Sequence, residues 1–299
     1  MAVASPSLLA RSQFRIGFTA QTEWVWLITA AFFCGSLGAG LFLVSFVVDF
    51  SAGALAGVLI VGVLKTTAHV LFLGKPLRAW RAIFAWRTSW ISRGVIAMGV
   101  FLVCGFVYVL PYLGVSSLEG STVAEVFGWV AVVAAVVLMV YDGFVMKTSR
   151  GIPLWTTWLM PLLTLCYGLL GGATLTLLLR RATGEDFSTT GVEALEIAVL
   201  AVNFLLVAAF VMRARSAAAR VGVHLLTRGS LSLPFLFGAV CVGLVGTLVL
   251  AVVALATGSA TVLALAAATE LAGDFMLFFC VLRAGVYAPI RPLPVLARG

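Results

Sequence analysis

Runs of about twenty apolar residues recur along this chain, separated by short connections marked by Gly, Pro, Ser or charge, and they leave it few folds. A bilayer core about 30 Å thick is crossed by ~20 helical residues. Within lipid a helix satisfies its own backbone N–H and C=O groups, whereas the strands of a β-barrel would alternate apolar and polar residues instead of running apolar. The runs predict eight transmembrane helices, at residues 24–48, 54–73, 94–113, 123–146, 154–179, 192–212, 233–256 and 261–282, in one membrane domain covering 1–299 with no soluble domain attached. The fold class is all-α integral membrane. Only 10% of the residues are charged, against about a quarter in a soluble domain. The segment before the first span carries Arg11 and Arg15 without an apolar run ending in a small-residue cleavage site, so no cleaved signal peptide is expected.

The cations choose a side. Arg11, Arg15, Lys75, Arg78, Arg81, Arg87, Arg93, Lys147, Arg150, Arg213, Arg215, Arg220, Arg228, Arg283, Arg291 and Arg298 fall on the side of the N-terminus, sixteen in all, against only Arg180 and Arg181 on the other. That other side collects Asp49, Glu119, Glu125, Glu185, Asp186, Glu193 and Glu196. The positive-inside rule then puts both termini in the cytoplasm, in agreement with an even span count. The basic face has two readings, topology alone or topology plus a docking surface for an acidic subunit.

Ionised groups at mid-bilayer cost about 2.5–3.5 kcal/mol each, so the few present are functional candidates. Span two holds Lys65 near its middle with His69 one turn closer to the basic face; span eight holds Glu270 and Asp274 in the same relation. The i, i+4 spacing puts each pair on one helix face. If the two helices face one another, Lys65 meets Glu270 and His69 meets Asp274, as a proton path or as a ladder that only fixes helix register.

A second group gathers at the basic ends of the spans. Trp24 and Trp26 open span one, Tyr141 and Asp142 lie near the end of span four, and Arg78, Trp80, Arg81, Trp86, Arg87, Trp90 and Arg93 follow span two. Interfacial aromatics anchor helices. Together with Asp142 and the arginines they also suit an amphipathic pocket for a quinone, whose ring stacks on aromatics and whose carbonyls need a donor such as Tyr141 or Arg. With only His69 and His224, no bis-His haem can be built inside the membrane, and Cys34, Cys104, Cys166, Cys241 and Cys280 form no cluster motif. Electrons that pass through must be carried by a partner. The Gly-rich runs 35–40 and 168–172 lie inside apolar spans and read as close helix contacts, not phosphate loops.

Trp24-Val-Trp26 leading into a Gly-rich span, Leu73-Gly-Lys-Pro-Leu-Arg-Ala-Trp80, Thr88-Ser-Trp-Ile-Ser-Arg-Gly94, Tyr141-Asp-Gly143 and Gly151-Ile-Pro-Leu-Trp155 resemble the NrfD/polysulfide-reductase membrane-subunit family, clearly over spans one to five and by span count beyond. The resemblance implies two four-helix bundles and a haem-free anchor exchanging electrons between a membrane quinone (menaquinone or ubiquinone) and a four-cluster iron–sulfur subunit, which contacts a molybdopterin (Mo or W) catalytic subunit. It implies a quinone site near the start of span one and the end of span four, with Tyr141 at the position of the family's site tyrosine. Where some relatives carry polar contacts, this sequence has Ile28, Ala31 and Phe72. The quinone-binding candidates are therefore Trp24, Trp26, His69, Arg81, Tyr141 and Asp142, and the docking candidates Arg78, Arg81, Trp86, Arg87, Trp90 and Arg93. A different class stays open: a proton-conducting or solute transporter using Lys65, His69, Glu270 and Asp274 without electron transfer.

Overall fold

The structure is a computed structural model that describes residues 18–185 and 187–288. Arg11, Arg15, Asp186, Arg291 and Arg298, used above in the charge count, lie outside the described residues. Eight helices long and apolar enough to cross a membrane run at Trp26–Val47, Ser51–Phe72, Trp90–Val109, Thr122–Thr148, Leu159–Thr183, Thr190–Met212, Leu233–Thr257 and Ala260–Arg283, and are called spans one to eight in that order.

Their ends follow local chemistry. Span three starts at Trp90, earlier than the apolar run suggests, because the Ser89 hydroxyl accepts the Ser92 backbone N–H at 3.4 Å and caps it. Ser121, Ser216 and Ser259 cap their helices in the same way. Span five starts at Leu159 and not at 154, since the preceding residues are spent on a turn closed by Ile152 N–H to Ser149 O and Trp155 N–H to Ile152 O, both 3.0 Å. Leu154 and Trp155 in that turn are buried although they lie outside any span. A short helix at Ala217–Thr227, between spans six and seven on the basic face, was not anticipated.

Spans one to four share one buried apolar cluster, and spans five to eight another that also takes in Ile28 and Phe32 of span one. Spans one and five form the seam between these two four-helix bundles: 72% and 67% of their apolar stretches are buried, against 28–56% for the other six. Small residues make that seam. A Cβ on Gly40 would run into the Gly168 carbonyl, and one on Gly172 into the backbone of Gly40. Lipid tails are as apolar as leucine, so close backbone packing, not apolarity, holds such helices together.

The two ends of the described chain close on each other at the basic face. Residues Thr19–Ala20 (β1) pair antiparallel with Val286–Tyr287 (β2). Buried Gln21 donates from Nε2 to Leu282 O at 3.1 Å and accepts the Trp24 N–H on Oε1 at 2.7 Å. Trp155 donates Nε1–H to Val281 O at 3.0 Å and stacks on Trp24 with centroids 5.4 Å apart. This clasp puts both ends on one side of the membrane.

Replacing Gly40 by Leu is expected to lower the melting temperature in detergent by the equivalent of about 1–3 kcal/mol, the usual cost of overpacking. Gly99→Ala, whose Cβ would meet nothing within 4 Å, serves as the control and leaves melting unchanged or slightly raised. Equal melting of the two variants would contradict the seam.

Candidate functional site

A cavity of about 320 Å³ opens at the basic end of the first bundle. Its walls come from four helices and the segments beside them: Trp24 just before span one, Ile28 and Phe32 of span one, Thr66 and His69 of span two, Trp80 of the loop after it, Gly94 and Met98 of span three, and Tyr141 with Val145 of span four. Almost all of this lining is apolar or aromatic, and its polar groups are few. Tyr141 lies flat against span three because Gly94 has no Cβ, which would collide with the ring. His69 Nδ1 is buried and has no hydrogen-bond partner among the described residues.

Behind Tyr141 sits the buried charge. Lys65 is fully buried, and its Nζ lies 3.6 Å from Asp142 Oδ2, donates to Ala31 O at 3.2 Å and stands 4.8 Å from the centre of the Tyr141 ring. Span two reaches this arrangement through a π-helical segment, Ile60–Lys65, in which the Thr66 hydroxyl bonds the Val61 carbonyl at 3.0 Å. Space for the ammonium is made by Gly35, where any side chain would strike Lys65 Nζ. Asp142 also interacts with the side chain of Tyr141, its neighbour in the sequence.

The expected pairing of span two with span eight is thereby corrected. Lys65 is answered by Asp142 within the first bundle, not by Glu270. Glu270 and Asp274 are buried in the second bundle, where span eight packs on spans one, five and seven. There the Thr174 hydroxyl contacts Glu270 Oε2 on one side and Glu196 Oε1, at 2.9 Å, on the other. The spacing rule places Glu270 and Asp274 on one face of a helix but does not say which neighbour that face meets.

The profile of the family described as "Polysulphide reductase, NrfD" matches residues 16–289. This chain belongs to the NrfD family. A sulfite dehydrogenase subunit from Allochromatium vinosum is 28% identical to it over 116 residues, a match covering 36% of this chain and 35% of that protein. The match thus spans about a third of the relative's length. NrfD proteins are membrane subunits of oxidoreductase complexes, and the eight spans agree with that membership.

Of the residues singled out in this NrfD sequence, the structure brings Trp24, His69 and Tyr141 to the cavity wall, with Asp142 directly behind. Trp26 points elsewhere: it is stacked on Phe279 and Phe275 of span eight, with centroids 4.2 and 5.9 Å away. Arg81 lies on the exposed 3₁₀ segment Pro76–Ala85, its guanidinium 5.6 Å from the Trp80 ring that lines the cavity. Arg78, Trp86 and Arg87 are exposed beside it. Arg93 is occupied in holding the loop, donating to Trp86 O at 3.0 Å and Arg87 O at 2.9 Å while covering Trp90, which stacks on Phe144 at 4.0 Å. Among the described residues no group of three or more His, Cys, Asp and Glu side chains is placed to hold a metal ion. Sequence reasoning missed Glu196, Thr174 and Tyr167. Glu196 was counted with the surface acids, yet it sits well inside span six, two turns from a buried Asn203 on the same face, and that i, i+7 polar stripe is a readable signal.

Lys65→Met or Asp142→Leu alone strands a buried charge and is expected to cost about 3–5 kcal/mol of stability. The double variant should recover most of that loss in the same thermal melt, and strictly additive losses would exclude the pair.

Proposed function

We propose that this NrfD protein is the haem-free, quinone-exchanging membrane subunit of a molybdopterin and iron–sulfur oxidoreductase complex. One observation carries the reading: a large aromatic cavity at the basic end of the first bundle is walled by His69, whose Nδ1 lacks a partner, and by Tyr141, which is backed by the Lys65–Asp142 pair. The residues suit a quinone. Flat aromatic walls take the ring, the apolar remainder takes the isoprenoid tail, and the polar groups lie at one end only.

A bound quinone supplies two-electron, two-proton chemistry. His69 and the Tyr141 hydroxyl would hold its carbonyl oxygens, and His69 would give or take a proton there. Lys65 and Asp142, ion-paired one layer deeper, keep the charge of this region balanced and fix the Tyr141 ring. In this reading Trp24, Trp80 and Val145 keep water from the ring, and the Ile28 position contributes an apolar wall.

The exposed arginines, Arg78, Arg81 and Arg87, with Trp86, form the face on which an iron–sulfur subunit would dock next to the cavity, with the molybdopterin subunit beyond it. An acidic partner surface is the complement of such a face. The basic face is cytoplasmic in this proposal, because the cations so outnumber those of the other side. The name of the relative makes sulfite one candidate substrate for the catalytic partner.

Purified protein is expected to bind a menaquinone analogue with quenching of tryptophan fluorescence. Tyr141→Phe should weaken binding by about tenfold, the loss of one hydrogen bond, and Val95→Trp, which fills the cavity, should abolish it. Unchanged affinity in Val95→Trp would place the site elsewhere. A fluorescent-protein fusion after Gly299 is expected to be bright in the cytoplasm, and an alkaline phosphatase fusion there inactive; the reverse pattern would invert the orientation.

A further inference from the structure

The second bundle contains a line of buried polar groups that the quinone reading does not use. Glu196, Thr174, Glu270, Asn203, Asp274 and Tyr167 are each at most 3% exposed. By helix rise they occupy successive depths, from Glu196 near the face that carries Arg180 and Arg181 to Tyr167 near the level of Asp142. The first three are joined directly through the Thr174 hydroxyl. Asp274 follows one turn beyond Glu270 on the same helix face, and a Cβ on Gly171 would lie 3.9 Å from its Oδ2, so Asp274 points toward span five, which also carries Tyr167.

Two observations say that this line transmits something and is not merely a packed polar core. A hydroxyl has one proton to give. Thr174 touches a carboxylate on each side, so one of its two contacts is closed by a carboxyl proton, and the proton of the hydroxyl can shift between partners. The line is also incompletely satisfied: Glu270 Oε1, Asp274 Oδ1, the Tyr167 hydroxyl and both side-chain atoms of Asn203 are buried without a partner among the described residues. Buried groups of this kind are ordinarily met by water.

The two ends of the line differ. At the outer end Glu196 lines an open pocket together with Glu193, Thr189, Arg181 and Ser259, and Arg181 is held to the pocket rim by its bond to Gly258 O at 2.7 Å. At the inner end Tyr167 adjoins a smaller space walled by Met146, Met160, Leu163, Leu277 and Phe278. The Thr164 hydroxyl there is already bonded to Pro161 O. A proton arriving from outside therefore finds acceptors as far as Asp274 and Tyr167, and an apolar plug beyond.

We propose that Glu196, Thr174, Glu270 and Asp274 form a blind proton well that opens on the face opposite the quinone cavity and equilibrates its protons with that face. Each transfer is a simple exchange: the Thr174 oxygen accepts a proton from one glutamic acid while its own proton passes to the other glutamate, and water at the pocket restores the first. The well needs no driving reaction, so it stands or falls separately from the quinone reading.

Two measurements test it. In the purified chain, dicyclohexylcarbodiimide, which attacks protonated carboxyls in apolar surroundings, is expected to modify Glu270 or Glu196, as located by mass spectrometry. A water-soluble carbodiimide should spare Glu270. In the purified chain sealed in vesicles with the Arg180 side outward, labelling of Glu270 by dicyclohexylcarbodiimide should follow the pH of the outer solution and not that of the lumen. Glu196→Gln and Thr174→Val should lose this response of Glu270 while keeping quinone-analogue binding. Thr174→Ser should retain the response, which separates loss of the hydroxyl from loss of the fold. Absence of carbodiimide labelling, labelling that follows the lumenal pH, or an unchanged response in Thr174→Val overturns the well. Failure of the wild-type chain to bind the analogue, with labelling intact, would instead count against the quinone cavity alone.

Discussion

An ammonium group in the middle of a bilayer has to be answered by a carboxylate within a few ångströms, and the first bundle is arranged around that requirement. Lys65 reaches Asp142 across the bundle and Ala31 O beside it, so spans one, two and four are fixed relative to one another by a single side chain. Gly35 has to be glycine to leave room for it, and Tyr141 is held with its ring over the ammonium on one side and against Gly94 on the other. The breadth of the cavity follows: its walls are placed by a polar contact that tolerates little movement, while its interior is left apolar.

The two bundles divide the polar residues between them. The first has both charges of one ion pair and a histidine, facing the basic side. The second has acids and hydroxyls with no cation among the three groups joined through Thr174, and it faces the other side. Span one belongs to both, touching Lys65 through Gly35 and span five through Gly40. Its burial, the highest of the eight spans, reflects that shared position, and so does its richness in small residues.

The number of spans, their membrane character and the clustering of Trp24, His69 and Tyr141 were legible in the sequence, because twenty apolar residues in a row have only one stable form in lipid. Partners of the buried ions were not. In a soluble helix the polar face reports which side is outside, but lipid is as apolar as a protein core, so the same residues suit either side of a membrane helix. Glu270 was therefore assigned to the wrong neighbour, and Trp26 was grouped with Trp24 although Trp26 is the first residue of the helix and Trp24 lies in the bend before it. The start of span five was missed for a related reason: hydropathy registers Leu154 and Trp155 as membrane residues, when they are apolar side chains buried in a turn outside the bilayer helix.

The π-helical segment of span two has a mechanical meaning. Such a segment accommodates one residue more than the α-helix would, and so it sets the rotation of everything after it relative to everything before. If residues 60–65 relaxed to α-helical geometry, the Thr66–Phe72 half would turn by about 100° against the Ser51–Leu59 half. Lys65 would leave Asp142, and His69 would leave the cavity with it. The backbone irregularity and the ion pair thus hold each other in place, and span two works as a wound spring latched by one charge.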